Sequence, residues 1–262
     1  MTDEKTIAGE AALVTGAGSG IGRAVALALA RRGARLALVG RDAKKLEATR
    51  ALVAAKGGDA AAFPADVTDE ALVARAVDGA AEKLGSLTIV VNDAGRAASA
   101  PVGKTTLAVW SDLLAVNLTG TFLVTRAALP HLLRAGRGRI VNVASVAGLR
   151  GYPYVAAYCA AKHGVVGFTR ALAVELASKN VTVNAVCPGY VDTEMTAETI
   201  RNVVEKTGRS PAEARAALEA MSPQKRLFTP EEVAAAVVAL CLPEARGVSG
   251  QAIAVCGGEV AG

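Results

Sequence analysis

Residues 11–33 read AALVTGAGSGIGRAVALALARRG. A short apolar run comes first, then glycines at 16, 18, 20 and 22, then apolar residues at helical spacing. This order predicts a strand, a glycine turn and a helix. Backbone without Cβ lets a pyrophosphate approach a helix N-terminus, where the first N–H groups have no partners. A glycine turn alone is a weak signal, but strand, four glycines and helix together favour a nucleotide. Gly16, Ser19, Gly20 and Ile21 are the candidate contacts.

Similar continuous apolar runs recur at 35–40 (RLALVG), 87–93 (LTIVVND), 138–145 (GRIVNVAS) and 181–189 (VTVNAVCPG). Weaker ones lie at 59–66 (DAAAFPAD) and 251–258 (QAIAVCGG). Continuous rather than alternating apolarity marks a parallel strand buried on both faces. Helical patterns separate the runs, at 20–33, 42–56, 69–84, 106–135, 154–178 and 230–242. The alternation predicts an α/β fold, a Rossmann-type doubly wound parallel sheet of about seven strands with helices on both faces. No linker or repeat interrupts it, so residues 1–262 read as a single dinucleotide-binding and catalytic domain. The polar, helix-prone stretch 190–229 between the last strands reads as a substrate lid.

Hydrophobic residues make up 52% of the chain and aromatics only 3%, so the core must be built from Ala, Val, Leu and Ile. The net charge of +5 is scattered and has no aromatics interleaved with it, which argues against nucleic acid as a partner. MTDEKTIAGE at the start is acidic and lacks the apolar run of a secretory signal. No run of eighteen apolar residues appears, so no membrane span is expected. Cys159, Cys187, Cys241 and Cys256 are far apart, as reduced thiols in a cytoplasmic protein would be. His131 and His163 form no metal-ligand pattern, so no metal is expected.

The chemistry is concentrated in YVAAYCAAKHG (154–164). With Pro153 placed to start the helix, Tyr158 and Lys162 share one face. An ammonium about 4 Å from a phenol, at an effective dielectric of ~20, favours the phenolate by ~4 kcal/mol, roughly three pKa units. Desolvation opposes that. Ser145 ends its strand, where ligands collect in a parallel sheet. After the second strand, where an NAD site usually places a carboxylate, stand Gly40 and Arg41. A guanidinium fork suits a 2′-phosphate, so NADP(H) is favoured. Asp42 beside it keeps NAD(H) open as the alternative.

TGAGSGIG (15–22), NDAG (92–95), Asn117, Ser145, Tyr158 with Lys162 four residues on, and PGYVDT (188–193) resemble the motif set of the short-chain dehydrogenases/reductases. The likeness runs from about residue 9 to the C-terminus. KHGVVGFTRALAVELA, VTVNAVCPGYVDTEM and the ending VCGG are most similar to 3-oxoacyl reductases and polyketide ketoreductases. The resemblance implies Tyr158 as general acid in reduction, Ser145 holding the carbonyl, Lys162 also gripping the nicotinamide ribose, and Asn117 holding a water on a proton relay. It implies Asp66 and Val67 at the adenine, and Asn92, Ala94 and Gly95 along the adenosine. Pro188, Gly189, Val191 and Thr193 would then hold the nicotinamide amide and the phosphates.

The implied activity is NAD(P)H-dependent interconversion of a ketone and a secondary alcohol. The substrate would be a small carbonyl compound, such as a 3-oxoacyl group on a thioester or a polyketide. An NAD-dependent secondary-alcohol or hydroxyacyl-CoA dehydrogenase working oxidatively is the alternative. A non-catalytic dinucleotide sensor would be expected to lose Tyr158 or Lys162, and neither is lost. Two departures stand out. Asp93 replaces the family's usual Asn, costing stability or requiring a partner, and GRAASAPVG (95–103) lacks a glycine pair found in some aromatic polyketide ketoreductases. Finally, two apolar stripes on the catalytic helix, one with Val165, Phe168, Leu172 and Leu176 and the other with Val166, Thr169, Ala173 and Ala177, suggest a second partner. Family members commonly pair this helix, so a homotetramer is expected.

Overall fold

Along the central strands, successive side chains enter two different cores. In the computed structural model, which describes residues 6–260, β1 (Ala11–Thr15) sends Ala12 and Val14 to one side and Ala11 and Leu13 to the other. β2 (Arg35–Gly40) splits Leu36 and Leu38 from Ala37 and Val39 in the same way. Because both faces are covered, apolar residues are favoured at successive positions, and this is why the runs are continuous.

The chain continues from β1 through α1 (Gly20–Arg31), β2, α2 (Ala43–Ala54), β3 (Ala60–Pro64), α3 (Glu70–Leu84), β4 (Ile89–Asn92), α4 (Leu107–Leu114) and α5 (Gly120–Arg134). It then forms β5 (Gly138–Val143), α6 (Ala156–Leu176), β6 (Val181–Pro188), α7 (Glu194–Thr207), α8 (Pro211–Glu219), α9 (Pro230–Cys241) and β7 (Ala252–Val255). The seven strands are all parallel, in the order β3-β2-β1-β4-β5-β6-β7. α1, α2 and α9 cover one face, and α3, α5 and α6 the other. The winding direction reverses between β1 and β4, and at such a switch point the strand ends leave a crevice for a ligand.

A chain of buried amides and hydroxyls crosses the second core. Asn92 Nδ2 donates to Thr125 Oγ1 (3.0 Å) and to Asn142 Oδ1 (2.9 Å), and Asn142 Nδ2 donates to Thr169 Oγ1 (2.9 Å). It ties β4 and β5 to α5 and α6, the elements that carry the site.

Four expectations need correction. The helical stretch 106–135 is two helices joined by a π turn, Ala115–Thr119. By length and apolarity, 107–134 is in fact sufficient to cross a membrane. Here Leu113, Leu123, Val124, Ala128 and Leu132 on it are buried in the protein, while Leu107, Trp110, Phe122 and Leu133 are exposed. Pro153 does not start the catalytic helix: α6 begins at Ala156, and the preceding turn holds Tyr154 at φ 68°. Most of both stripes on α6 is buried within the chain, Phe168 being half-buried and Ala177 exposed, so the stripes by themselves do not require a second subunit. MTDEK, the first half of the N-terminal decapeptide, lies outside the described residues.

The glycine turn is packed without slack. A Cβ on Gly22 would lie 2.4 Å from the Gly16 carbonyl oxygen and 2.7 Å from Asp93 Oδ2. Gly22→Ala should therefore destabilise the fold by about 1–3 kcal/mol, since backbone has to move. Gly103→Ala, with open space at its Cβ, should change stability by less than about 0.5 kcal/mol. Thermal unfolding of the two variants beside wild type checks this, and equal melting temperatures would contradict it.

Candidate active site

The C-terminal ends of β1, β2 and β4 open into a cleft of ≈ 520 Å³. It is lined by Gly16, Gly18 and Ser19 from the turn, Gly40, Arg41, Asp42 and Lys45 after β2, Asp66 and Val67 after β3, and Ala94 and Gly95 after β4. Ser19, the N-cap of α1, makes no side-chain capping bond, and the first turn of α1 has no acidic residue. The electropositive helix end is thus left for an anion, which fits a pyrophosphate.

Around the adenosine end of the cleft, Asp42 is engaged: its Oδ1 caps α2 by accepting from the N–H groups of Lys44 (2.9 Å) and Lys45 (3.1 Å). Arg41 is largely exposed and reaches only Asp66 Oδ2, at 3.9 Å. For the Asp66 carboxyl, burial pushes upward, but the Thr68 N–H and hydroxyl together with Arg41 bring it below its ordinary value.

Deeper in, Lys162 is buried on α6 and donates from Nζ to the carbonyl of Val143 at the end of β5 (2.8 Å). Two glycines let backbone close around it. A Cβ on Gly95 would sit 2.7 Å from Asn117 Oδ1 and 3.7 Å from Lys162 Nζ, and one on Gly148 would sit 2.6 Å from the Lys162 carbonyl oxygen. Asn117 lies in the π turn. The widened turn frees the Leu113 carbonyl, and Asn117 Nδ2 occupies it at 2.9 Å while also donating to Arg96 O (2.9 Å).

Tyr158 and Ser145 line a smaller cavity of ≈ 160 Å³ beside the cleft, together with Ile21, Pro188, Gly189, Val191, Thr193 and the α7 residues Met195 and Thr199. Ser145 Oγ accepts from Ala147 N (3.1 Å), which fixes its rotamer at the start of the turn Val146–Gly148. The tyrosine does not behave as the spacing suggested. Burial pushes the Tyr158 phenol up to about 12, and the group that opposes the rise is the Ser145 hydroxyl, not Lys162. The Lys162 Nζ lies 5.7 Å from the ring centroid, and burial brings the amine down to about 8.

Residues 10–203 match the profile of the family described as short chain dehydrogenase. The chain belongs to this family. It is 42% identical to 2-(S)-hydroxypropyl-CoM dehydrogenase 3 of Xanthobacter autotrophicus over 252 residues, covering 96% of this chain and 97% of that protein. Among solved structures it resembles a variant of actinorhodin polyketide ketoreductase with NADPH (40% identity, TM-score 0.92, 95% of this chain and 97% of that one). It also resembles carveol dehydrogenase from Mycobacterium avium in complex with NAD (32% identity, TM-score 0.93, 97% and 99%). As a short-chain dehydrogenase the protein is an oxidoreductase that interconverts carbonyl and alcohol with a nicotinamide cofactor.

In this short-chain dehydrogenase most of the expected residues converge on the cleft or the cavity. Asn92 does not: it is buried in β4, and its side chain belongs to the amide chain of the core. Gly20 and Asn117 line neither space: Gly20 faces Thr193, whose Cγ2 would lie 3.2 Å from a Cβ there, and Asn117 sits behind Gly95 and Arg96. Several wall residues escaped the sequence reading. Tyr190 stands inside PGYVDT, and Tyr152 follows Ser145 by seven positions; motif position was the available signal for both. Lys45, which joins α2 to α7 through Glu194 (2.6 Å), carried no signal.

Asp93 finds the partners that its substitution for Asn demands. Burial pushes its carboxyl up to about 7, while the Lys162 ammonium and the Gly22 N–H in the first turn of α1 pull it down. An unfolded carboxyl titrates near 3.9. Between the two values the folded chain holds a proton that the unfolded chain has released, so stability is fully present below about pH 4 and is lost as pH rises toward 7. In Asp93→Asn this loss should disappear, and the melting temperature of the variant should gain on wild type from pH 4 to pH 7. The gain corresponds to on the order of a few kcal/mol. A constant difference across that range would remove Asp93 from this role.

Proposed function

We propose that the protein is an NADPH-dependent ketoreductase that reduces a 3-oxoacyl or polyketide-like ketone to its secondary alcohol. The observation that carries this is the Tyr158 phenol, held neutral in the cavity wall next to the Ser145 hydroxyl. A neutral phenol is the form that can give a proton to a developing alkoxide, which is what reduction requires. Ser145 would hold the carbonyl oxygen beside that proton. Lys162 gives one N–H to Val143 and keeps two for ribose hydroxyls. Asn117 would keep the backbone at 95–96 in place beside the lysine and carry the relay to solvent. The cofactor, when bound, supplies the hydride.

The preference for NADP(H) is supported by the weakly partnered Arg41 and by Gly40, which puts no carboxylate at the end of β2. The NAD reading relied on Asp42, whose carboxylate is engaged in capping. We infer that α7 and α8 form the lid: α7 lines the cavity and is tethered by Lys206 Nζ to the carbonyl of Ser99 (2.8 Å). A homotetramer in the cytoplasm fits four buried free thiols and the exposed Leu107, Trp110, Phe122 and Val174 on α4, α5 and α6. Ile253 on the edge strand β7 offers a second contact.

Tyr158→Phe should retain NADPH binding, measured by fluorescence titration, and lower kcat by about 10²–10⁴-fold with ketone substrates followed at 340 nm. Turnover near wild type in the folded variant would overturn the assignment. Arg41→Ala should raise the KM for NADPH about tenfold, the loss of one partly screened phosphate contact, and leave the KM for NADH within about twofold. Equal changes for both cofactors would refute the phosphate role.

A further inference from the structure

One wall of the small cavity is held by residues that belong to none of the family motifs. Tyr152 lines the cavity, and its hydroxyl donates to Glu259 Oε1 at 2.6 Å. On the ring of Tyr152 lies the Arg150 guanidinium, 4.6 Å from the centroid. Arg150 Nη2 donates to the same Oε1 at 3.3 Å, and Nη1 donates to the main-chain carbonyl of Glu259 at 3.1 Å. The Glu259 side chain is 2% exposed, whereas that of Arg150 is 46% exposed. A carboxylate this deeply buried is costly unless paired, so the cluster is a built feature of the fold.

The residues around it fit the carboxylate closely. A Cβ on Gly189 would lie 3.2 Å from Glu259 Oε2, so the glycine after β6 leaves the space that the carboxylate occupies. The C-terminal turn is itself fixed: Ser222 Oγ donates to the Cys256 carbonyl (3.2 Å), and a Cβ on Gly257 would collide with Gln224. The cluster therefore joins the end of β6, the loop before α6, the segment after α8 and the C-terminal turn.

Two consequences follow for whatever enters the cavity. The only proton of the Tyr152 phenol is given to Glu259, so toward the cavity this residue offers an aromatic surface and no donor. The positive charge of Arg150, one ring away, is cancelled by Glu259. Among the described residues, the charged groups that line the cavity are Asp93, Lys162 and Glu198. Lys162 is held by Val143 and faces Asp93, so no cation is free to accept an anionic substrate group.

We propose that Glu259 is a specificity-determining residue: by tying down Tyr152 and neutralising Arg150, it reserves the cavity for substrates that are uncharged beside the reacting carbonyl. Esters, thioesters and alkyl ketones fit, and free carboxylates or sulfonates are turned away. Glu259 touches no reacting atom and acts through Tyr152 and Arg150. The proposal rests on the ketone–alcohol reading of this same site.

A matched pair of ketones tests it, methyl 4-oxopentanoate and 4-oxopentanoate, which differ by one charge. Wild type should prefer the ester. Glu259→Gln keeps an acceptor for Tyr152 and the side-chain volume but leaves Arg150 uncancelled. It should shift the ratio of KM values toward the acid by about five- to tenfold, as expected for one partly screened charge, and the shift should be carried by KM rather than kcat. Tyr152→Phe, which keeps the Glu259–Arg150 pair, should not shift the ratio. Saturation-transfer NMR of both compounds on the protein with NADP(H) bound reads the same ratio without turnover. A shifted binding ratio with no reduction of either compound would sustain the role of Glu259 and overturn the ketoreductase reading. An unchanged ratio in Glu259→Gln, or an equal loss of both compounds together with cofactor affinity, would overturn the role of Glu259.

Discussion

A buried ammonium sits where the site needs it only because backbone from three directions can come very close. Lys162 gives one hydrogen bond from Nζ to the end of β5, Gly95 lets the segment after β4 approach the ammonium, and Gly148 lets the turn after β5 lie against the lysine's own main chain. Taking a lysine out of water is expensive, and the cost is offset only where acceptors and an opposing charge are already in position. Gly95, Gly148 and the π turn at Asn117 are what bring them there. A methyl group at Gly95 would push the segment after β4 off Asn117, and one at Gly148 would push the turn after β5 off α6, loosening the packing that holds Ser145, Tyr158 and Lys162 together. The amide chain from Asn92 to Thr169 has the same consequence further back, because it fixes the register of β4 and β5 against α5 and α6.

This dependence on close backbone contact explains what could be read from the sequence. Strands buried on both faces have a composition that almost nothing else has, and all seven were legible, including the weak edge strands β3 and β7. The cleft was legible because glycine, and not merely a small residue, is required at the turn; Gly16, at φ +67°, has the left-handed backbone that other residues avoid. Features that depend on register were not legible. The π turn inserts one residue's worth of rotation into an unbroken helical pattern, and nothing in LLAVNLTGTF marks it except Asn117 itself. Asn92 was placed on the adenosine side because its motif neighbours are there, but side chains alternate along a strand, and position 92 points into the core. Glu259 is more than a hundred positions from Tyr152, and no local pattern could join them.

The tyrosine and its lysine show most clearly where spacing stops being a sufficient guide. Four residues of helix put both side chains on one face, and a bare Coulomb estimate at that separation predicts a strongly acidified phenol. The folded chain adds two terms that spacing does not contain. Enclosure penalises the phenolate, and Asp93, beside Lys162, opposes the effect of the ammonium on the ring. Enclosure thus cancels the pull expected of the ammonium, Tyr158 stays neutral, and the Ser145 hydroxyl is the neighbour that moderates the rise.

That cancellation bears on the chemistry the site favours. A phenolate prepared in advance would serve as a base and suit the removal of a proton from an alcohol; a neutral phenol beside a serine hydroxyl presents two donors to one oxygen. The same principle recurs at the far wall, where Glu259 cancels Arg150, so that wall offers apolar surface rather than net charge. In the proposed reduction, charge developing on a carbonyl oxygen would be the strongest electrostatic event in the cavity, and the groups that would meet it, Tyr158 and Ser145, are already oriented by packing and by the Ala147 N–H. Donors fixed before charge appears stabilise a transition state more than a ground state, and it is this difference, rather than affinity for the ketone, that accelerates the reaction.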